Sequence, residues 1–223
     1  MPYTYEYPHP AVTTDIVIFT VLEDALKVLL IKRGEEPFKG EWALPGGFLN
    51  IDESLDACAR RELQEETGLE GVYLEQLYTY GAVDRDPRER ILTVAYYALI
   101  SAAGQQVQAG DDAADAQWFE VGGLPALACD HAEILALAGE RLAAKLAYST
   151  VGLQLMPDEF TLSELMRVYE LAGRKALDKR NFRKWILGLG LLEETGNKWS
   201  DGAHRPAMLY RVKDRSRVEI VRK

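Results

Sequence analysis

The chain has 223 residues, of which 48% are apolar and 27% charged, and its formal net charge at pH 7 is −9. These values are ordinary for a soluble globular protein of one large or two modest domains, and they exclude a disordered or low-complexity chain. No apolar run approaches the ~20 residues that a membrane-spanning helix needs. The first ten residues lack the basic and apolar parts of a signal peptide, so we expect a cytoplasmic protein.

The charge is unevenly distributed along the chain. Acidic residues outnumber basic ones in residues 1–149, and the reverse holds in residues 150–223. This asymmetry predicts two domains, residues 1–148 and 149–223, with a polyanion as a natural partner for the second. The two cysteines, Cys58 and Cys129, have no metal-binding spacing and are typical of reduced thiols.

The chain begins with two β-branched, apolar runs at residues 13–21 and 26–33, which predict a pair of strands. Glu23 and Asp24 lie between them and indicate a hairpin turn without glycine. A turn-rich stretch follows and ends in Gly46 and Gly47. Two glycines in a row allow the backbone to approach a bound phosphate or ion closely, although a simple tight turn also explains them.

Residues 54–67 form the most informative segment. Leu55, Ala59 and Leu63 recur every four residues, which predicts an amphipathic helix that ends at Gly68. The same spacing brings together the carboxylates that follow: Glu62, Glu65 and Glu66.

These three carboxylates are unfavourable on a bare helix. Like charges at this spacing cost roughly 0.2–0.5 kcal/mol per pair, and the helix dipole disfavours anions near the C-terminus. A bound divalent cation would reverse both penalties, and hard oxygen ligands suit Mg²⁺ or Mn²⁺. The alternative is an acidic surface helix without a ligand.

The segment from Gly47 to Leu69 also resembles a known family. It satisfies every fixed position of the Nudix box, GX5EX7REUXEEXGU, and the positions that match are Gly47, Glu53, Arg61, Glu62, Leu63, Glu65, Glu66, Gly68 and Leu69. The pattern is long and without gaps, so it is far more specific than a short motif.

The resemblance implies a role for each residue of the site. The metal ligands would be Glu62, Glu65, Glu66 and a backbone group of Gly46. Arg61 would orient a glutamate of the box, Glu53 would support metal or water at the helix start, and Glu65 would also act in catalysis. The bound ion would be Mg²⁺ or Mn²⁺, and it would bridge the oxygens of a substrate pyrophosphate.

The remaining first domain alternates between sheet and helix. Strands are predicted at residues 72–81, 91–101 and 116–121, and an Ala/Leu-rich helix at residues 129–148. This order fits an α/β/α sandwich with a mixed sheet, which the Nudix resemblance also implies.

A base or ligand from outside the box is harder to identify. Asp112 and Asp115, and with them Asp111, are candidates, each with a solvated loop acid as the alternative. The candidates for substrate contacts are Arg33, Trp42, Gly47, Arg85 and Arg88. Arginines would hold phosphate by paired hydrogen bonds, and Trp42 would stack on a base; a charged surface turn and core packing are the alternatives.

The second domain has a different pattern. Thr161 and Glu164 form a capping box before one helix, and Asp178 is an N-cap for a second, which ends at Gly188 or Gly190. Strands are predicted at residues 191–194 and 207–212. This order resembles a winged helix-turn-helix module over residues 157–213.

The second of these helices is the predicted DNA reader. Phe182, Trp185 and Ile186 face inward by spacing, which leaves the polar residues for double-stranded DNA. The predicted DNA contacts are Lys179, Arg180, Asn181, Arg183, Lys184 and, in the wing, Arg205 together with His204. Such readers work as dimers on two half-sites, so we expect a homodimer.

Together the two modules resemble Nudix hydrolases of ADP-ribose-like compounds and Nudix-related regulators of NAD metabolism. The first hypothesis is a Mg²⁺-dependent hydrolase that cleaves ADP-ribose or a similar compound to AMP and a sugar phosphate and also binds DNA. The second is a repressor that senses ADP-ribose with little or no hydrolysis. The third is an enzyme whose winged helix only holds a dimer together. Pro87 lies farther from the box than the proline of many ADP-ribose enzymes, so ADP-ribose rests on overall likeness.

Overall fold

The computed structural model describes residues 4–103, 113–200 and 206–221. The chain divides into two compact units. The first extends to Ala138 apart from two segments, Phe19–Lys27 and the described residues 99–103, which belong to the second unit together with the chain from Gly139. No described helix is long and apolar enough to cross a membrane. The predicted division at residues 148 and 149 stays a prediction.

The seven strands that the structure describes in the first half belong to one sheet. They are β1 (Ala11–Leu22), β2 (Ala25–Arg33), β3 (Trp42–Ala43), β4 (Gly46–Phe48), β5 (Tyr73–Tyr80), β6 (Ile91–Leu99) and β7 (Ala113–Glu120). The order is β3-β2-β1-β6-β5, with β4 paired to β1 and β7 to β2. The central strands β1, β2 and β6 are apolar and buried along most of their length, so the core lies at this part of the sheet.

Two helices accompany this sheet, α1 (Leu55–Thr67) and α2 (His131–Leu146). The local sequence sets both ends of α1. Ser54 accepts a hydrogen bond from the Ala57 N–H at the start, and Gly68 adopts a left-handed φ of 71° at the end. Helix α2 was predicted to start at residue 129 but starts at His131. Cys129 has a positive φ of 50°, which is not a right-handed helical conformation.

The second half contains a short 3₁₀ helix (Val151–Leu155), β8 (Phe160–Thr161), α3 (Leu162–Gly173), α4 (Lys179–Gly188), β9 (Leu192–Trp199) and β10 (Ala207–Val212). The three strands form an antiparallel sheet in the order β8-β10-β9. The predicted capping box of Thr161 and Glu164 is present, and Asp178 caps α4. Strand β9 extends to Trp199, farther than predicted.

The last described residues return to the segment that precedes the 3₁₀ helix. The Thr150 N–H donates to the Glu219 carbonyl at 3.0 Å, and the Val221 N–H donates to the Tyr148 carbonyl. The Glu219 N–H donates to the Thr150 hydroxyl at 2.9 Å. Ser149 and Thr150 are buried, so these bonds satisfy backbone groups that water does not reach.

Candidate functional site

A polar cavity of about 330 Å³ lies where β4, α1 and the start of α2 meet. We call the acids of α1 its acidic side. The opposite, arginine-rich side carries Arg33, Arg85 and Arg88 and the residues before α2. The polar side chains that line it are Asp15, Arg33, Arg61, Glu62, Glu65, Glu66, Arg85, Asp86, Arg88 and His131. Most of the side chains predicted from the Nudix box therefore share one cavity.

Arg61 is the centre of the acidic side. Its guanidinium donates to both oxygens of Glu53, at 3.1 and 2.7 Å, and to the Phe48 carbonyl at 3.1 Å. It also donates to Glu62 at 2.7 Å and to Glu65 at 2.9 Å. These hydrogen bonds lower the pKa of Glu53 to about 2, with Arg61 as the largest cause. One cation therefore holds three carboxylates in place.

Glu62 differs from the other acids of the box because it is buried, with a relative exposure of 8%. Burial raises its pKa, against the opposing effect of Arg61. Gly47 makes room for this carboxylate: a Cβ at position 47 would lie 2.3 Å from the Glu62 Oε1 atom. The first glycine of the box is thus required by a close approach of backbone and side chain.

Gly46 and Glu66 form a second link between β4 and α1. The Gly46 N–H donates to the Glu66 Oε2 atom at 2.6 Å. A Cβ at Gly46 would lie 2.0 Å from the Thr14 carbonyl oxygen, and the φ of Gly46 is 155°. The pair of glycines is therefore a tight packing feature, as well as a candidate for contact with an ion.

The donor set suits a hard cation. In the part of the chain that the structure describes, no three Asp, Glu, His or Cys side chains meet closely enough to hold a metal ion. Glu62 and Glu65 nevertheless already surround a cation, the Arg61 guanidinium, and Glu66 lies beside Gly46. Carboxylate oxygens in this arrangement fit Mg²⁺ or Mn²⁺ if Arg61 keeps Glu53 and releases the other two acids.

The opposite side of the cavity holds a buried polar group that the sequence analysis missed. His131 accepts a hydrogen bond on Nδ1 from the Leu44 N–H at 2.9 Å, and its Nε2 atom lies 3.6 Å from Asp15. Burial lowers the pKa of His131. The neutral ring therefore carries its proton on Nε2, toward Asp15. The sequence offered two signals for this group: Asp15 is a lone acid in an apolar strand, and His131 stands at the start of a helix.

The predicted substrate residues differ in their surroundings. Arg85, whose side chain is 4% exposed, donates to Asp130 at 2.8 and 2.6 Å and lies 3.5 Å from Asp15. Arg88 pairs with Asp86 at 3.0 and 2.8 Å and lies over the Phe48 ring. Both arginines are already paired with acids, so a ligand would have to share them.

The other predicted residues differ in whether they line the cavity. Arg33 lines it and donates to the Pro37 carbonyl at 2.8 Å. Trp42 is not among the lining residues and instead packs edge-on against Phe119 at 4.8 Å. Asp115 is exposed, and its carboxylate accepts from the Ala116 N–H. Asp111 and Asp112 lie outside the described residues.

A second candidate site is the exposed face of α4. Asp178 accepts from the Asn181 N–H at 2.8 Å and fixes the start of the helix. Phe182 and Ile186 are buried as predicted. The five residues of α4 that were predicted to contact DNA are all exposed: Lys179, Arg180, Asn181, Arg183 and Lys184. His204 and Arg205 lie outside the described residues.

Comparison with known proteins gives two family matches. Residues 12–138 match the NUDIX domain, and residues 152–212 match the NrtR DNA-binding winged helix domain. The chain is 42% identical over 212 residues to a protein of Acinetobacter baylyi named ADPR responsive transcriptional repressor NtrR, covering 92% of this chain and 83% of that protein. It is also 42% identical over 129 residues to an ADP-ribose pyrophosphatase of Methanocaldococcus jannaschii, covering 58% and 73%.

Solved structures of Shewanella oneidensis NrtR resemble the chain as well. The complex with a 27mer DNA has a TM-score of 0.82 at 39% identity and covers 91% of this chain and 93% of that one. The NUDIX domain of the same protein, complexed with ADP ribose, has a TM-score of 0.57 at 39% identity and covers 61% and 90%. The likeness therefore includes both halves of the chain.

Proposed function

Because this chain belongs to the Nudix family and carries a winged helix domain of the NrtR type, we propose that it is a DNA-binding transcriptional regulator whose Nudix domain binds ADP-ribose. The observation that carries the proposal is that a polar ligand cavity and an exposed basic helix occur in one chain. The repressor of Acinetobacter baylyi, which aligns with 92% of the chain, supports the same reading.

The chemistry of the cavity supports an ADP-ribose-like ligand. Its arginines supply charge for a pyrophosphate, and its carboxylates accept hydrogen bonds from sugar hydroxyls. Arg33 is the arginine of the arginine-rich side with no acid partner among the described ion pairs, so it is the first candidate for a phosphate.

The face of α4 supports DNA as the second ligand. Lysines and arginines on an exposed helix neutralise phosphates, and Asn181 is suited to read an adenine edge. The buried residues Phe182 and Ile186 fix the helix, so the polar side chains project from a rigid support. We propose a homodimer in the cytoplasm, because winged helix readers work in pairs on two half-sites.

Hydrolysis of ADP-ribose to AMP and a sugar phosphate is the second candidate function. The complete Nudix box and the Methanocaldococcus jannaschii relative favour it. Mg²⁺ or Mn²⁺, held by Glu62, Glu65, Glu66 and a backbone group of Gly46, would supply charge neutralisation and an activated water. Arg61 would orient Glu53 and the box acids, and Asp112 or Asp115 stays a candidate base.

One set of measurements tests both roles. A DNA duplex is first obtained by selecting the purified full chain against a random-sequence library. Fluorescence anisotropy then follows its release as ADP-ribose is added with EDTA, and chromatography follows AMP formation with Mg²⁺. We expect ADP-ribose to change the DNA affinity. A protein that selects no duplex, or whose DNA affinity ignores ADP-ribose, would contradict regulation.

The AMP measurement then separates the two candidates. Formation of AMP that requires Mg²⁺ and is lost in Glu65→Gln would support hydrolysis alongside regulation. Absence of AMP with ADP-ribose binding intact would leave a sensor without turnover.

A further inference from the structure

Asp15 is a single carboxylate in the buried part of a central strand of the sheet, β1. Its residues on either side along β1 are buried, and Asp15 itself has a relative exposure of 7%. The little surface that it keeps faces the cavity, of which it is a lining residue. A carboxylate in such a position is costly unless hydrogen bonds replace the lost water.

Those hydrogen bonds are incomplete among the described residues. The nearest cationic neighbour, the Arg85 guanidinium, lies 3.5 Å from the Asp15 Oδ2 atom, and the His131 Nε2 atom lies 3.6 Å from Oδ1. Both distances exceed those of good hydrogen bonds. Arg85 already makes two short bonds to Asp130, and His131 is held by the Leu44 N–H. The two neighbours therefore leave acceptor capacity on Asp15.

Gly46 keeps one of these oxygens accessible. Asp15 and Gly46 face each other in the antiparallel pair of β1 and β4. A Cβ at Gly46 would lie 3.0 Å from the Asp15 Oδ1 atom. Any other residue at this position would fill the space beside the carboxylate.

We propose that Asp15 is a specificity-determining residue, which accepts a hydrogen bond from a ribose hydroxyl of the ligand. This inference rests on the proposed binding of ADP-ribose. In that binding mode the arginines of the cavity hold the pyrophosphate, and one of them, Arg85, lies 3.5 Å from Asp15. A ligand with its pyrophosphate on these arginines places an adjoining ribose next to Asp15. A carboxylate repels phosphate but accepts from a hydroxyl, so the ribose is the part that suits Asp15.

ADP-ribose contains two riboses that adjoin its pyrophosphate, and the test must separate them. The ligands are ADP-ribose, an analogue without the 2′ and 3′ hydroxyls of the adenosine ribose, and an analogue without the 2″ and 3″ hydroxyls of the terminal ribose. Calorimetry in EDTA, and again in Ca²⁺, gives the dissociation constants for the full chain. We expect one analogue to bind at least about tenfold more weakly than ADP-ribose.

The variant Asp15→Ala then assigns the loss to Asp15. It removes both acceptor oxygens, whereas asparagine would keep one. We expect the variant to bind ADP-ribose and the affected analogue within about threefold of each other, because the hydrogen bond is already lost on the protein side. The control Asp158→Ala makes the same change at an exposed residue of the other unit and should keep the wild-type ratio.

Each result decides the inference. If the wild-type protein binds all three ligands within about threefold, or if Asp15→Ala keeps the wild-type discrimination, Asp15 is not the acceptor. If Asp15→Ala does not fold, Asp15→Val, which also lacks an acceptor and suits a strand, is measured in its place. If ADP-ribose itself does not bind in either buffer, the proposed function fails, which is a different outcome from a loss of discrimination.

Discussion

The helices α1 and α4 both begin at a side-chain cap and both carry a concentration of charge, yet they use that charge in opposite ways. On α1 the charged groups are linked to one another through Arg61, and Glu62 is buried. On α4 the cationic residues are exposed around a buried pair, Phe182 and Ile186. Fixed charges suit a small ligand that demands one geometry, whereas exposed charges suit a polyanion that tolerates several.

The largest effect should come from removing a charge on α1. Glu65→Gln keeps the size of the side chain but removes a proposed metal ligand. If hydrolysis occurs, we expect AMP formation with Mg²⁺ to fall by about 100-fold or more, and DNA affinity without ligand to stay unchanged. Chromatography of AMP and anisotropy with the selected duplex measure the two. An equal loss of both would contradict the separation of roles between the helices.

Crowding the same helix should have the next largest effect. In Gly47→Ala the new Cβ would lie 2.3 Å from the Glu62 Oε1 atom. We expect a loss of about 1–3 kcal/mol in the free energy of unfolding and weaker ADP-ribose binding by calorimetry. Gly122→Ala is the matched control because nothing lies within 4 Å of its Cβ. Equal behaviour of the two variants would show that Glu62 has room to move.

On α4 the loss of one charge should be milder. Arg183→Ala and Lys184→Ala should each weaken DNA binding by roughly tenfold and reduce the slope of log affinity against log salt by about 1. The control Arg217→Ala removes an exposed charge elsewhere in the same unit. Anisotropy titrations at several salt concentrations provide the slopes. A wild-type slope in the α4 variants would exclude this face from contact with phosphate.

The smallest effect should be that of pH on the stability contributed by Arg61 and its partners Glu53, Glu62 and Glu65. The pKa of Glu53 is lowered to about 2 from an ordinary value near 4.5, chiefly by Arg61. Its stabilising effect is therefore complete above pH 4.5 and is lost as the pH falls from about 4.5 to 2. Burial raises the pKa of Glu62, so protonation of that residue acts in the opposite direction.

Thermal unfolding of the wild-type protein and of Glu53→Gln across this range measures the effect. We expect the difference in Tm between the two proteins to shrink as the pH falls. A difference that is constant from pH 5 to pH 2 would show that the pair with Arg61 contributes nothing that depends on the charge of Glu53.

Much of the fold followed from local sequence signals. The Nudix box predicted helix α1 and most of the acids that line the cavity. The capping residues Thr161 and Asp178 predicted the starts of α3 and α4. The resemblance to the Nudix family, and the prediction of a mixed α/β domain followed by a winged helix, are confirmed by the comparisons. These features are local because caps and helical spacing act within a few residues.

The rest depended on contacts between distant parts of the chain. His131 holds the Leu44 N–H across 87 residues, and spacing alone does not indicate such a pair. The arginines at 85 and 88 were expected to be available for phosphate, but each pairs with an acid. The short strands β3 and β4 were expected to be turns, because two or three residues carry no periodic signal.

The return of the last residues to Tyr148 and Thr150 has a practical consequence for handling the protein. A chain shortened after Val212 would keep every residue matched to the winged helix family, yet it would lose the partners of the Thr150 N–H and the Tyr148 carbonyl. Those groups belong to the segment between the two matched regions. A chain cut at the end of the family match would thus leave backbone groups of residues 148 and 150 without these partners, and purification tags are better placed at the N-terminal end.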